Sequence, residues 1–239
     1  MSALDPYASL RIQEFRYFLV VRFLLVFAWA MQFVVIEWEI YTLTKDPLSL
    51  GLIGLAEVIP AMSLSLLAGH HVDRVEKRDL LIRCVAGFLL ISGGLFLVTW
   101  PAVGGQLAVD TVVALTYVLV FCGGIVRSFL GPTVFALFGQ VIPRTHYTNA
   151  SAWSSSAWQM GAVLGPAFGG LAIVWLGVHW SLLVVAGCAR AALLVLSEIG
   201  RKAIPEVPKG ESIRESLREG LSFVFRTKAV LGAITLDMF

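Results

Sequence analysis

Glu37, Glu39, Glu57, Arg127 and Arg190 each interrupt a stretch of sequence that is otherwise apolar. A charge in such surroundings is costly, so each is expected to be paired, to face a wet cavity or to exchange a proton. Glu57 falls about eight residues into its run, hence about 12 Å from the run's start if the run is helical. At that depth the ionised carboxylate is disfavoured relative to the neutral acid, which is what a carrier of protons requires. Glu37 and Glu39 are candidates for the same task, but at about 200° apart around a helix they cannot share a face. Glu39 aligns with Gln32 one heptad earlier, and Glu37 with Tyr41 and Thr44. Any of the three could instead keep a vestibule wet; depth puts Glu57 ahead. Arg190 is either a structural partner for one of the glutamates or a cavity cation that attracts an anionic substrate. Gln32 and Trp38 are grouped with it as cavity residues. Trp29, Trp38, Trp153 and Trp158 could stack on an aromatic substrate, or could anchor helices at the interface and fill the packing.

The elements that hold these residues are apolar spans. The chain has 239 residues, 58% hydrophobic and 14% charged, against about 25% charged in an ordinary soluble domain. Spans are expected at residues 17–43, 49–68, 80–100, from 111 past Arg127 and Gly131-Pro132, 151–176 and 180–199, with Pro47 stopping the first. The apolar run of the first span is too long for a secretory leader, although Ala28-Trp29-Ala30 imitates a cleavage site. Arg11, Arg16, Arg74, Lys77, Arg78, Arg144, Arg201 and Lys202 flank one side of the array, whereas Lys45 alone sits on the other. The rule that cations stay inside then makes both ends of the six-span unit cytoplasmic. On that topology the sequon at Asn149 is a chance match. Three cysteines within apolar runs, Cys84, Cys122 and Cys188, read as packing residues rather than a disulfide framework.

Two patterns are more specific. Gly69-x-x-x-Asp73-Arg74-x-x-Lys77-Arg78-x-x-Leu81 sits between the second and third spans. It resembles the signature loop of the major facilitator superfamily, with Glu76 where that family usually has a second glycine. Gly161-x-x-x-Gly165-Pro166-x-x-Gly169-Gly170 in the fifth span is at least a close-packing seam, since glycines four apart open a groove for another backbone. Its fuller form resembles the fifth-helix motif of that superfamily's antiporters. The resemblance implies two six-helix halves, each a 3+3 repeat, joined by a cytoplasmic linker. It further implies that Asp73 latches onto a helix N-terminus of the opposite half, and that Arg127 modulates the proton affinity of a nearby carboxylate. The alternative for Arg127 is a residue that snorkels to the cytoplasmic interface. Trp38-x-x-Tyr41-x-Leu43-Thr44, with Gly51-Leu52-Ile53-Gly54 and Pro60, resembles the subgroup of macrolide-efflux and enterobactin-export carriers.

The expected protein is therefore all-α and polytopic: a six-helix transmembrane bundle over 1–200, a cytoplasmic linker with an amphipathic helix over 201–228, and the start of a seventh span over 229–239. About eleven apolar residues cannot cross a bilayer that needs about twenty, so the chain is expected to hold one half of a carrier. The expected activity is proton-coupled export of a small organic molecule, such as a drug, siderophore or metabolite. Its partners would be the substrate, protons, the lipid bilayer and a C-terminal six-helix half. Its place would be a bacterial inner or plasma membrane with the N-terminus cytoplasmic. A self-sufficient half-size carrier acting as a dimer and a non-transporting scaffold are the alternatives. A net charge of +2 gives no reason to expect nucleic acid. No phosphate-binding loop, nucleophile elbow or metal-ligand spacing is seen, so neither an enzyme nor a cofactor or metal is expected.

Overall fold

Helix ends follow local chemistry in the computed structural model, which describes residues 6–203. Helix α1 (Gln13–Thr44) stops at Lys45, which takes a left-handed conformation at φ 54°. Asp46 then caps α2 (Pro47–Arg74), its carboxylate accepting from the Leu48 N–H at 3.0 Å, with Pro47 in the first turn where a missing N–H does no harm. Four further long helices follow: α3 (Lys77–Thr99), α4 (Val109–Val141), α5 (Tyr147–Leu176) and α6 (Val178–Ser197). A single helical turn, Pro101–Gly104, lies between α3 and α4, and Gly177 at φ 80° makes the turn between α5 and α6. All six long helices are apolar enough to cross a membrane. The chain is an all-α, multi-pass membrane bundle, as its composition demands. The expected linker helix and the apolar stretch from Ala229 lie outside the described residues.

The charged segment between the second and third spans differs from expectation. The second span does not end at residue 68, nor does a loop run to residue 80: α2 continues through His70 to Arg74, and only Val75 and Glu76 separate it from α3. Lys77 makes this possible. Its side chain is buried and its ammonium donates to the carbonyls of Val72, Asp73 (3.0 Å) and Val75 (2.9 Å), satisfying the open end of α2. Glu76 caps the next helix by accepting from the Asp79 N–H. A carboxylate can cap in this way and the usual glycine cannot.

Helix pairing reveals the internal repeat. α1 packs chiefly on α5 and α6, and α4 chiefly on α2 and α3, while α3 packs on α6. Exchanging the first three helices for the last three maps the α1–α5 contact onto α4–α2, α1–α6 onto α4–α3 and α3–α6 onto itself, which is a 3+3 arrangement. One apolar cluster, including Phe15, Phe18, Leu81, Leu137 and Leu196, fills the end of the bundle that carries most cations. A second, including Met31, Ile36, Phe88, Leu95 and Leu182, fills the end nearer Lys45. Cys84 is buried, but Cys122 is exposed on the outer surface of α4, so packing does not account for all three cysteines.

Lipid tails are as apolar as leucine, so close backbone approach rather than hydrophobic burial holds such helices together. Gly124 supplies the approach between α4 and α2. A Cβ there would overlap the Glu57 carbonyl oxygen and lie 2.6 Å from Cγ of Pro60. Gly124→Ala in the full-length protein is expected to destabilise it by about 1–3 kcal/mol, as overpacking does, and to lower its melting temperature in detergent. Gly54→Ala, whose Cβ meets nothing within 4 Å, should not. Equal melting temperatures for the two variants would show that this contact does not hold α2.

Candidate functional site

Glu57 lies just above Pro60, which lacks the N–H that would bond the carbonyl one turn earlier. With Gly124 against its backbone, α2 runs close to α4, and Arg127, three residues beyond Gly124, falls on the same face of α4. Its guanidinium forms an ion pair with the Glu57 carboxylate. The pair is lopsided: the Glu57 side chain is 6% exposed and that of Arg127 is 54% exposed. From α1, Trp29 donates its indole N–H to the same carboxylate oxygen at 2.7 Å. The Trp29 ring is stacked on Phe88 of α3 at 4.7 Å, and the Arg127 guanidinium sits 5.5 Å from its centroid. Four helices thus fix one carboxylate, and two donors satisfy its charge in a place where water is scarce.

This cluster stands between two spaces. Towards the Lys45 end is a void of about 20 Å³, bounded by Trp29, Gln32, Ile53, Glu57 and Gly123 among others, large enough for about one water molecule. Gln32 is buried there and accepts a hydrogen bond from the Ser92 hydroxyl of α3 at 2.6 Å. On the other side lies a cleft of about 840 Å³ whose wall includes Arg22, Trp29, Glu57, Arg127, Phe135 and Trp158. Its residues come from α1, α2, α4 and α5 and none from α3 or α6. Its size falls within the roughly 300–1,000 Å³ range of small-molecule sites.

Of the expected site residues, Glu57 and Arg127 come together. Neither Glu37 nor Glu39, both half-buried on α1, lines the cleft. Gln32 borders the small void rather than the cleft. Trp38 is 52% exposed and away from the cleft, and Arg190 is exposed on α6, a helix that contributes nothing to the cleft wall. The glycines of the fifth span serve mainly as a seam. Cβ atoms at Gly161 and Gly165 would press on the α1 backbone at Phe27, 3.0 Å from its nitrogen and 2.8 Å from its oxygen respectively, and one at Gly169 would lie 3.3 Å from the Met31 carbonyl. Pro166 lines the cleft, and Gly170 faces open space.

At the cation-rich end, Gly69 has open space beside it and Asp73 and Arg74 are exposed, whereas Lys77 and Arg78 are engaged as helix caps. Arg78 donates to the Ser197 carbonyl at the end of α6 (2.8 Å) and to Asp79 (3.2 Å), which also pairs with Arg201. Lys202 pairs with Glu14 and donates its backbone N–H to Glu76 at 2.9 Å. The residues after α6 are therefore fastened across the ends of α1 and α3. Asn149 is engaged with Ser9 and Pro6, fixing the N-terminal turn to α5. Sequence reasoning missed Arg22, a cation within the first span that meets the same criterion as Arg127. Its nearness to Arg16 conceals it among the flanking charges.

A family model described as transmembrane secretion effector matches residues 4–235. The multidrug efflux pump Tap of Mycolicibacterium fortuitum is 25% identical over 215 residues, covering 86% of this chain and 50% of the relative. The chain thus spans about half the length of the curated relative it matches. With that near end-to-end match added to six membrane helices in a 3+3 array, the chain belongs to the transmembrane secretion effector family of the major facilitator superfamily.

Proposed function

We propose that this chain forms the N-terminal half of a secondary active transporter that exports a small organic molecule in exchange for protons by alternating access. The observation that carries the proposal is the Glu57 carboxylate, held at bilayer depth by Trp29 and by an arginine that opens onto the cleft. Ionised, Glu57 holds Arg127 and Trp29. Protonated, it loses the charge that attracts Arg127, and the guanidinium is released towards the cleft. Proton occupancy of Glu57 and substrate occupancy of the cleft thereby act on the same side chains, which is the minimum that coupled exchange requires. The void beside Gln32 borders Glu57 and has room for about one water molecule, which would hand a proton to the carboxylate. Similarity to a relative named as a multidrug efflux pump supports the outward direction.

In this reading the Lys45 end faces outward and the end carrying Arg74, Lys77, Arg78, Arg144 and Lys202 faces the cytoplasm of a bacterial cell, as the uneven distribution of cations supports. Asp73, exposed at that end, would meet a helix N-terminus of the C-terminal half when the cytoplasmic side closes. Such a contact is worth about 0.3–1 kcal/mol, more if partly buried, enough to shift a balanced two-state carrier.

The test is proton-gradient-driven efflux by the full-length protein in vesicles. Glu57→Gln keeps the shape and removes the titration. It should abolish acceleration by the gradient while leaving downhill exchange, because a charge-assisted bond worth about 1.5–3 kcal/mol is lost in only one protonation state. Asp73→Asn should slow both modes. Wild-type efflux by both variants would refute the assignment of both residues.

A further inference from the structure

Arg22 is a cation of the cleft that the coupling mechanism does not use. It sits on α1, with its side chain on the cleft wall opposite no acid: among the described residues no carboxylate lies within ion-pairing distance of it. Its Nε–H donates to the Ser154 carbonyl of α5 at 3.1 Å, and its guanidinium carbon lies 5.4 Å from the centroid of Phe135 on α4. Those two contacts orient the guanidinium plane but engage one of its five N–H donors. The terminal pair of amino groups, the part that matches a carboxylate or sulfonate in bidentate fashion, has no acceptor among the described residues.

The rest of the cleft reinforces this. Among the described residues its ionisable lining is Arg22, Arg127 and Glu57. Arg127 and Glu57 neutralise each other, which leaves the charge of Arg22 uncompensated. The apolar lining near it includes two largely exposed aromatic rings, Phe135 at 68% and Trp158 at 48%. A half-buried cation with no carboxylate partner among the described residues attracts an anion and repels a cation more strongly than a fully solvated charge does. Arginine also retains its charge under all physiological conditions and sheds water more readily than lysine.

Resting on the transport reading above, we infer that Arg22 sets the charge preference of the cleft, and that the favoured cargo is an amphiphilic organic anion. Such a molecule would carry a carboxylate or sulfonate for the guanidinium and a flat apolar or aromatic body for Phe135 and Trp158.

Fluorescein and rhodamine 123 share a xanthene core and carry opposite charge, so they isolate this preference. Binding of each to the full-length protein in lipid nanodiscs is followed by fluorescence polarisation, with no proton gradient present. Fluorescein should bind at least about tenfold tighter than rhodamine 123, as expected for one charge-assisted bidentate pair. Arg22→Gln should remove that advantage and leave rhodamine 123 binding no weaker. Arg22→Lys, which keeps the charge and loses the fork, should retain the preference for fluorescein at reduced affinity. Equal or tighter binding of rhodamine 123 to the wild-type protein, binding of neither dye, or unchanged fluorescein affinity in Arg22→Gln would each overturn the inference. Equilibrium binding does not depend on coupling, so a failed efflux assay with the anion preference intact would count against the role of Glu57 alone.

Discussion

Everything at the centre of this bundle depends on how closely two helices approach at Gly124. Lipid offers no apolar driving force for helix association, so the contact must come from backbones that touch. Only a residue without a Cβ can lie against the Glu57 carbonyl and the Pro60 ring. Once α2 is seated there, the three-residue offset from Gly124 to Arg127 places a guanidinium on the Glu57 carboxylate. The repeat supplies the counterpart on the other side, where Gly161 and Gly165 let α5 settle on the α1 backbone at Phe27. That second seam holds α1 so that Trp29 can complete the cluster.

The lopsided burial of the ion pair distinguishes it from a strut locked on both sides. A pair buried on both sides would be locked, because separating it would strand a charge in a dry interior. Here the acid is enclosed and the base is half in the open cleft. Neutralising the acid therefore leaves the base able to find other partners at modest cost. α3 and α6 stay out of the cleft and form its backing, with Phe88 stacked behind Trp29 and Ser92 bonded to Gln32. α1, α2, α4 and α5 present the chemistry.

At the cation-rich end the charges also hold helix ends together. Lys77 and Arg78 belong to the cluster of cations that marks that end, and they also satisfy carbonyls at the ends of α2 and α6. Glu76 takes the place of a glycine that would have loosened the turn. It closes the start of α3 and receives the Lys202 N–H. The segment after α6 is thereby tied to the bundle through Glu14, Glu76 and Asp79.

The sequence by itself determined the six membrane helices, their ends to within about a turn in most cases, the gathering of cations at one end, and a short set of charges within apolar runs: Glu37, Glu39, Glu57, Arg127 and Arg190. These follow from local rules: a bilayer requires about twenty apolar residues per helix, proline and capping residues punctuate, and a charge in a greasy run stands out. It misjudged the charged turn because the caps that extend α2 come from a side chain beyond the turn. It placed Trp38 and Arg190 in a cavity because distance along a chain says little about which face of a helix meets which neighbour. Trp29 as a ligand of Glu57 and Arg22 as a wall of the cleft were invisible for the same reason: each contact joins residues from different helices. Only the tertiary structure decided those pairings, because the position of the glycine seams, not the apolar pattern, sets how the helices rotate and how near they come.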